Sequence, residues 1–229
     1  MKKTTFLLVL SLALATSTRA ATIASWGFEV NVPSPVTGTS ITGLAPDIGS
    51  GSASGVHVSG LTSFTVPVGN GSAHSLSADN WAIGDYWQFH VSTIGFQNIQ
   101  LRFDQAASGL GATNFNLLIS TNGINFSPVF SNLGVPQNSG GFGGGGGVWN
   151  TTTYLPAYTH NLDLSSISAF NNASDLYFRL ASNMTGAQTS QIDNFVVTGL
   201  AVPEPASAAL LGVGALLLFV RRASPKRNG

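Results

Sequence analysis

Between Thr22 and Gly199 the chain alternates apolar and polar residues in short runs separated by Gly, Asn, Ser and Pro. In Thr22 to Val30 (TIASWGFEV), Ala24, Trp26, Phe28 and Val30 fall on one side of a strand, and Ser25, Gly27 and Glu29 on the other. A period of two places one such face in a core. The same pattern recurs in LTSFTVPV from Leu61, DYWQFHVS from Asp85, NIQLRFDQ from Asn98, NFNLLIS from Asn114, DLYFRLAS from Asp175 and QIDNFVVTG from Gln191. In DYWQFHVS it directs Trp87, Phe89 and Val91 inward. Thr121-Asn122-Gly123 lies between NFNLLIS and INFSPVF and marks a hairpin, because Asn and Gly tolerate positive φ. Sustained helical periodicity is absent from the middle of the chain, and one short turn near Ile167 to Asn171 is the most helix expected. Many short antiparallel strands in this span predict an all-β fold, a two-sheet antiparallel sandwich of jelly-roll type.

Charge sharpens the picture. Only 8% of the 229 residues are charged, against about 25% in ordinary soluble domains, while 43% are apolar. Seven of the nine Lys and Arg residues sit near the ends, leaving Arg102 and Arg179 as the bases of the middle. Eight acids from Glu29 to Asp193 give that region a net charge of −6, which argues against nucleic acid as a partner. With no cysteine, disulfides, thiolate metal sites and thiol nucleophiles are excluded. His57, His74, His90 and His160 form no His-Glu-x-x-His motif, and no Gly-x-Ser-x-Gly elbow occurs. Glu29 is the one glutamate before the tail, so a paired-carboxylate glycosidase site would have to be built from aspartates. No catalytic residue emerges.

Both ends read as addresses. Residues 1–20 carry Lys2 and Lys3, an apolar run of ten residues from Phe6 to Ala15 and a small-residue end, as in a secretory signal peptide cleaved between Ala20 and Ala21. Residues 21–200 form the expected β-sandwich domain. Residues 201–229 contain Val202, Pro203, Glu204 and Pro205, then fifteen residues from Ala206 to Val220 that suit a short transmembrane helix, then Arg221 and Arg222 as a basic stop. Pro203 and Pro205 remove two backbone donors around Glu204, which leaves an extended strip open to a processing enzyme.

The order Val-Pro-Glu-Pro, apolar helix, arginine cluster closely resembles the PEP-CTERM sorting signal of Gram-negative bacteria. The resemblance covers about the last 28 residues. It implies export through the inner membrane by the secretion translocon, transient residence in that membrane, and handling by an exosortase in an organism that makes exopolysaccharide. The tail after the arginines, Ala223 to Gly229, is longer than that pattern requires. The first and last strand signals are similar to those of carbohydrate-binding-module and galactose-binding-like jelly rolls. In those families an acid from each terminal strand can hold a structural calcium, and Glu29 and Asp193 are the matching positions.

Gly140 to Trp149 holds seven glycines in eight residues before Val148, without the lysine of a phosphate-cradling loop, and reads as a surface loop. Aromatics in turn-rich segments are the functional lead, since a flat ring can stack on a sugar while Asn and Asp bond its hydroxyls. Trp149, Trp81 and Tyr86 are the candidate ligand-stacking residues. The sequence therefore predicts an exported, non-enzymatic component of the cell surface or exopolysaccharide (biofilm) matrix. An extracellular carbohydrate-binding module is the alternative, and a secreted glycoside hydrolase-like enzyme the third.

Overall fold

A computed structural model describes residues 19–138 and 148–202. The glycine-rich segment, most of the signal peptide, Pro203, Glu204, Pro205, the apolar segment 206–220, Arg221 and Arg222 lie outside the described residues. Ala20–Ala201 form one compact unit. Its strands, in chain order, are β1 (Ala20–Trp26), β2 (Val36–Thr37), β3 (Ser40–Leu44), β4 (Ile48–Gly49), β5 (Ser52–Val56), β6 (Ser63–Thr65) and β7 (Leu76–Ala78). There follow β8 (Tyr86–Val91), β9 (Phe96–Ala107), β10 (Asn114–Ser120), β11 (Ser127–Gly134), β12 (Thr159–Asp163), β13 (Leu176–Ser182) and β14 (Ser190–Ala201). Single 3₁₀ turns occupy Pro156–Tyr158 and Ser168–Phe170, the second inside the turn expected from sequence. Among the described residues no helix is long and apolar enough to cross a membrane.

The strands form an antiparallel sandwich. One sheet has eight strands and runs β12-β9-β14-β7-β6-β2, with β1 also on β14 and β4 on β1; the other has six and runs β11-β10-β13-β8-β5-β3. From β7 onward most connections pass from one sheet to the other, so each sheet interleaves strands distant in sequence. The long β14 carries the centre of the larger sheet, pairing with β9 along one side and with β7 and then β1 along the other. Ala20 and Ala21 open β1, opposite Leu200 and Gly199.

Aromatic rings fill the space between the sheets. Phe89 of the smaller sheet stacks on Phe195 of the larger at 3.6 Å between centroids, and Trp26 meets both rings edge-on. A neighbouring group joins Trp81, Trp87, Phe64, Phe115 and His57. Burying each such ring stabilises the fold by about 1.5–3 kcal/mol, with roughly 0.5–1.5 kcal/mol more for well-placed pairs. Gly55 faces this group because a Cβ there would lie 2.5 Å from Trp87 and 2.7 Å from Phe64.

The first strand stops earlier than its alternation implies. Val30 is 74% exposed, since Phe28 turns to a φ of 59° and the Asp47 carboxylate gathers the backbone N–H groups of Gly27, Glu29, Val30 and Asn31. Those bonds draw the Asp47 carboxyl below its usual range against the burial that raises it. The expected hairpin is present between β10 and β11, with a loop of several residues in place of a two-residue turn. Asn122 Oδ1 accepts from the N–H groups of Ile124 and Asn125, and Gly123 alone takes a positive φ, of 70°.

Candidate functional site

The outward face of the six-stranded sheet carries a connected strip of rings and polar side chains. Alternation in β8 sends Trp87, Phe89 and Val91 into the core and leaves Tyr86, Gln88 and His90 half-buried on the other face. In β13 it buries Leu176, Phe178 and Leu180 and leaves Tyr177, Arg179 and Ala181 outside. Antiparallel pairing sets Tyr177 opposite His90 and Arg179 opposite Gln88, while Ser52 and Ser54 of β5 extend the same two rows. Cross-strand neighbours on one face lie close enough for direct contact.

Those contacts are specific. The rings of His90 and Tyr177 stack at 4.2 Å and 15°, and His90 Nε2 lies 2.9 Å from Asp175 Oδ1. The Ser174 hydroxyl, with His90 next, holds the Asp175 carboxyl below its usual range. Phe126 reaches back from the β10–β11 loop and meets Tyr177 edge-on at 6.5 Å. Arg179 lies between two rings, its Cζ 3.9 Å from the centroid of Tyr86 and 3.6 Å from that of Phe126. Its Nε and Nη2 both donate to Gln88 Oε1, at 3.1 and 2.7 Å. A strip of rings and polar groups, each braced by a neighbour, loses little side-chain freedom when it meets a ligand.

Two of the three ring candidates are enclosed. Trp149 is 2% exposed, packed edge-on against Tyr158 at 5.7 Å over Ala106, with its backbone N–H on Asn138 Oδ1. Trp81 is 3% exposed, wedged against His57, Trp87 and Phe115, and its indole N–H donates to the Ala78 carbonyl. Neither indole can stack on a sugar. The turn-rich sequence around each hides the apolar slot that tertiary packing supplies. Tyr86 alone stands on the outward face, where Tyr177, Phe126, His90 and Arg179, not singled out from sequence as ligand residues, join it.

Glu29 and Asp193 differ in setting. Glu29 is exposed and accepts from the backbone N–H of His74. Asp193 is buried opposite Asp104 in the β9–β14 ladder. Its Oδ2 accepts from Asn70 N, Ser72 Oγ and Asn194 Nδ2, and its Oδ1 from Asn194 N. Asp104 Oδ2 accepts from the Nδ2 groups of Asn70 and Asn194, and its Oδ1 from the Thr159 hydroxyl, with Arg102 Nη2 at 3.5 Å. Every oxygen of the two carboxylates accepts at least one hydrogen bond. Among the described residues no group of three or more His, Asp or Glu is placed to hold a metal ion.

No protein-family model and no curated protein sequence matches the chain. Among solved structures it is similar to the K1 cleaved adhesin domain of Lys-gingipain from Porphyromonas gingivalis W83, at 11% identity and a TM-score of 0.42, covering 80% of this chain and 98% of that one. It is likewise similar to the family 11 carbohydrate-binding module of the cellulosomal cellulase Lic26A-Cel5E of Clostridium thermocellum, at 15% identity and a TM-score of 0.35, covering 82% of this chain and 99% of that one. A third similar structure, described as TmCBM61 in complex with β-1,4-galactotriose, has 8% identity and a TM-score of 0.32, covering 55% of this chain and 70% of that one.

Proposed function

We propose that the sandwich is a non-catalytic carbohydrate-binding domain of an exported protein, and that it meets polysaccharide on the outward face of the six-stranded sheet. The observation that carries this reading is the braced strip in which Arg179 lies between Tyr86 and Phe126 beside the stacked His90–Tyr177 pair. Half-exposed rings give apolar contact to the C–H faces of sugars, and Gln88, Ser52, Ser54 and Asp175 bond hydroxyls along the same rows. A strip across several strands fits an extended chain better than a single small molecule.

Tyr177→Ala removes the ring that supports His90 and faces Phe126. Binding of soluble polysaccharide, followed by isothermal titration calorimetry on residues 21–200, is expected to weaken at least tenfold, about 1.4 kcal/mol, with the melting temperature changed little. Unchanged affinity in a folded Tyr177→Ala domain would sink the assignment of this face.

Delivery is part of the same proposal. The signal peptide, Val202, Pro203, Glu204 and Pro205, the apolar segment and Arg221 with Arg222 support export, transient membrane residence and exosortase processing, ending at the cell surface or in the exopolysaccharide matrix. In a host with the processing enzyme, the mature protein is expected to begin at Ala21 and to lack Arg221 and Arg222 by intact-mass spectrometry. Retention of those arginines, or processing untouched by Glu204→Ala, overturns the delivery account and leaves the binding face standing.

A further inference from the structure

The binding face holds one arginine, and no described carboxylate pairs with it. Among the described residues no carboxylate lies within 4.0 Å of Arg179; the ion pairs present involve Arg102 and histidines. Half-buried arginines ordinarily find a carboxylate, because a guanidinium taken out of water is costly unless paired. Here the rings of Tyr86 and Phe126 share the charge and the Gln88 carbonyl takes two N–H groups. Nη1 makes no hydrogen bond within the described chain, which leaves planar N–H donors for a ligand. Burial lowers the Arg179 pKa, and the Tyr86 phenol opposes it.

The net charge of the domain does not contradict an anionic ligand. Asp85, Asp104 and Asp193 are buried, Asp47 is spent on four backbone N–H groups, and Asp163 lies in the other sheet. On the strip itself the one acid is Asp175, already held by His90 and Ser174. Arg179 is thus left without a carboxylate partner on the strip.

We infer that the polysaccharide met by this face is anionic, carrying carboxylate or sulfate groups, one of which takes the free edge of the Arg179 guanidinium in a planar, two-point contact. This rests on the binding face proposed above and names its ligand class. The rings position the arginine and contact the sugar; the guanidinium selects the charge.

The test measures binding of the 21–200 domain to a polyuronate, to a sulfated polysaccharide and to a neutral mixed-linkage glucan, at low and at high salt. At least one anionic polymer is expected to bind tenfold or more tightly than the neutral one at 20 mM salt, with the advantage falling several-fold by 500 mM. Arg179→Gln is expected to erase the advantage and its salt dependence, and Arg179→Lys to keep part of it. The two anionic arms separate carboxylate from sulfate recognition. Neutral glucan bound as tightly as both anionic polymers, in a manner sensitive to Tyr177→Ala, overturns the inference while the binding face survives. Absence of binding to all three overturns both. Should Arg179→Gln fail to fold, salt-independent binding of the native domain is the overturning result.

Discussion

Asp85→Ala is expected to lower the stability of the domain by about 3–5 kcal/mol, because it takes the acceptor from three donors, each costing about 1–3 kcal/mol when left buried and unmade. The carboxylate is 1% exposed and joins three elements. Its Oδ1 accepts from Val58 N just after β5, its Oδ2 accepts from Ala82 N in the turn before β8, and the same oxygen lies 3.2 Å from His57 Nδ1. Burial lowers the His57 pKa in spite of the neighbouring carboxylate, so near neutral pH the imidazole is uncharged and donates its N–H. Truncation leaves the His57 donor among the rings of Phe64, Trp81 and Trp87 and takes the acceptor from two part-buried backbone N–H groups, at about 1–3 kcal/mol for each one left unmade. For a domain of this size the loss is roughly 10–15 °C in melting temperature. Asp85→Asn keeps one acceptor and turns a donor toward the others, so it should fall between wild type and Asp85→Ala in a calorimetric series. An Asp85→Ala protein melting within 2 °C of wild type would show that water or a shifted backbone replaces the carboxylate.

The inward face of the smaller sheet was readable from the residues alone. The alternation in DYWQFHVS and DLYFRLAS fixes which side chains must be covered, and Trp87, Phe89, Phe178 and Leu180 are buried accordingly. The same alternation dictates that Tyr86, Gln88, His90, Tyr177 and Arg179 face outward together once the two strands are neighbours. That adjacency is the missing fact. Residues near 88 and 179 meet only through the β8–β13 pairing, a long-range contact that no local pattern encodes. Phe126 joins them because the β10–β11 loop is long enough to fold back, where a two-residue turn would have held it away.

Burial of the two tryptophans was hidden for a related reason. Turn-rich sequence predicts an exposed segment and leaves the fate of one large ring undecided. Ala106 leaves room for Trp149, and the turn after β7 drops Trp81 onto the core. Asp85, Asp104 and Asp193 show the same limit for charge. Asp85 and Asp104 read as ordinary solvated acids and Asp193 as a candidate metal ligand, and each is buried with partners more than twenty residues away.

Asp193 supplies the second large effect, a loss of stability as pH rises. Burial is the main cause that pushes its carboxyl up to about 7, with the charge of Asp104 adding to it and hydrogen bonds from Ser72, Asn70 and Asn194 opposing it. Gly69 closes the site, since a Cβ there would lie 2.3 Å from Asp193 Oδ2. In the unfolded chain the group titrates near 3.9, so between about pH 4 and 7 the folded protein binds the proton better. Stability from this group is therefore fully present below about pH 4 and gone above about pH 7. A displacement of about three pKa units corresponds to at most about 4 kcal/mol at roughly 1.4 kcal/mol for each, or about 8–15 °C. The proton has a place to go: Ser72 Oγ can receive it while donating onward to the His74 carbonyl. His57 and His160, both held low by burial, contribute the opposite slope as they lose their protons, so the quantity that isolates Asp193 is the difference between wild type and Asp193→Asn. That variant leaves Asn70 N without its acceptor and should carry a constant cost, yet its difference from wild type should move in its own favour by several degrees from pH 5 to pH 8. Parallel melting curves for the two proteins across that range would mean that Asp193 is already ionised in the folded state and that its ring of donors outweighs both burial and the facing carboxylate.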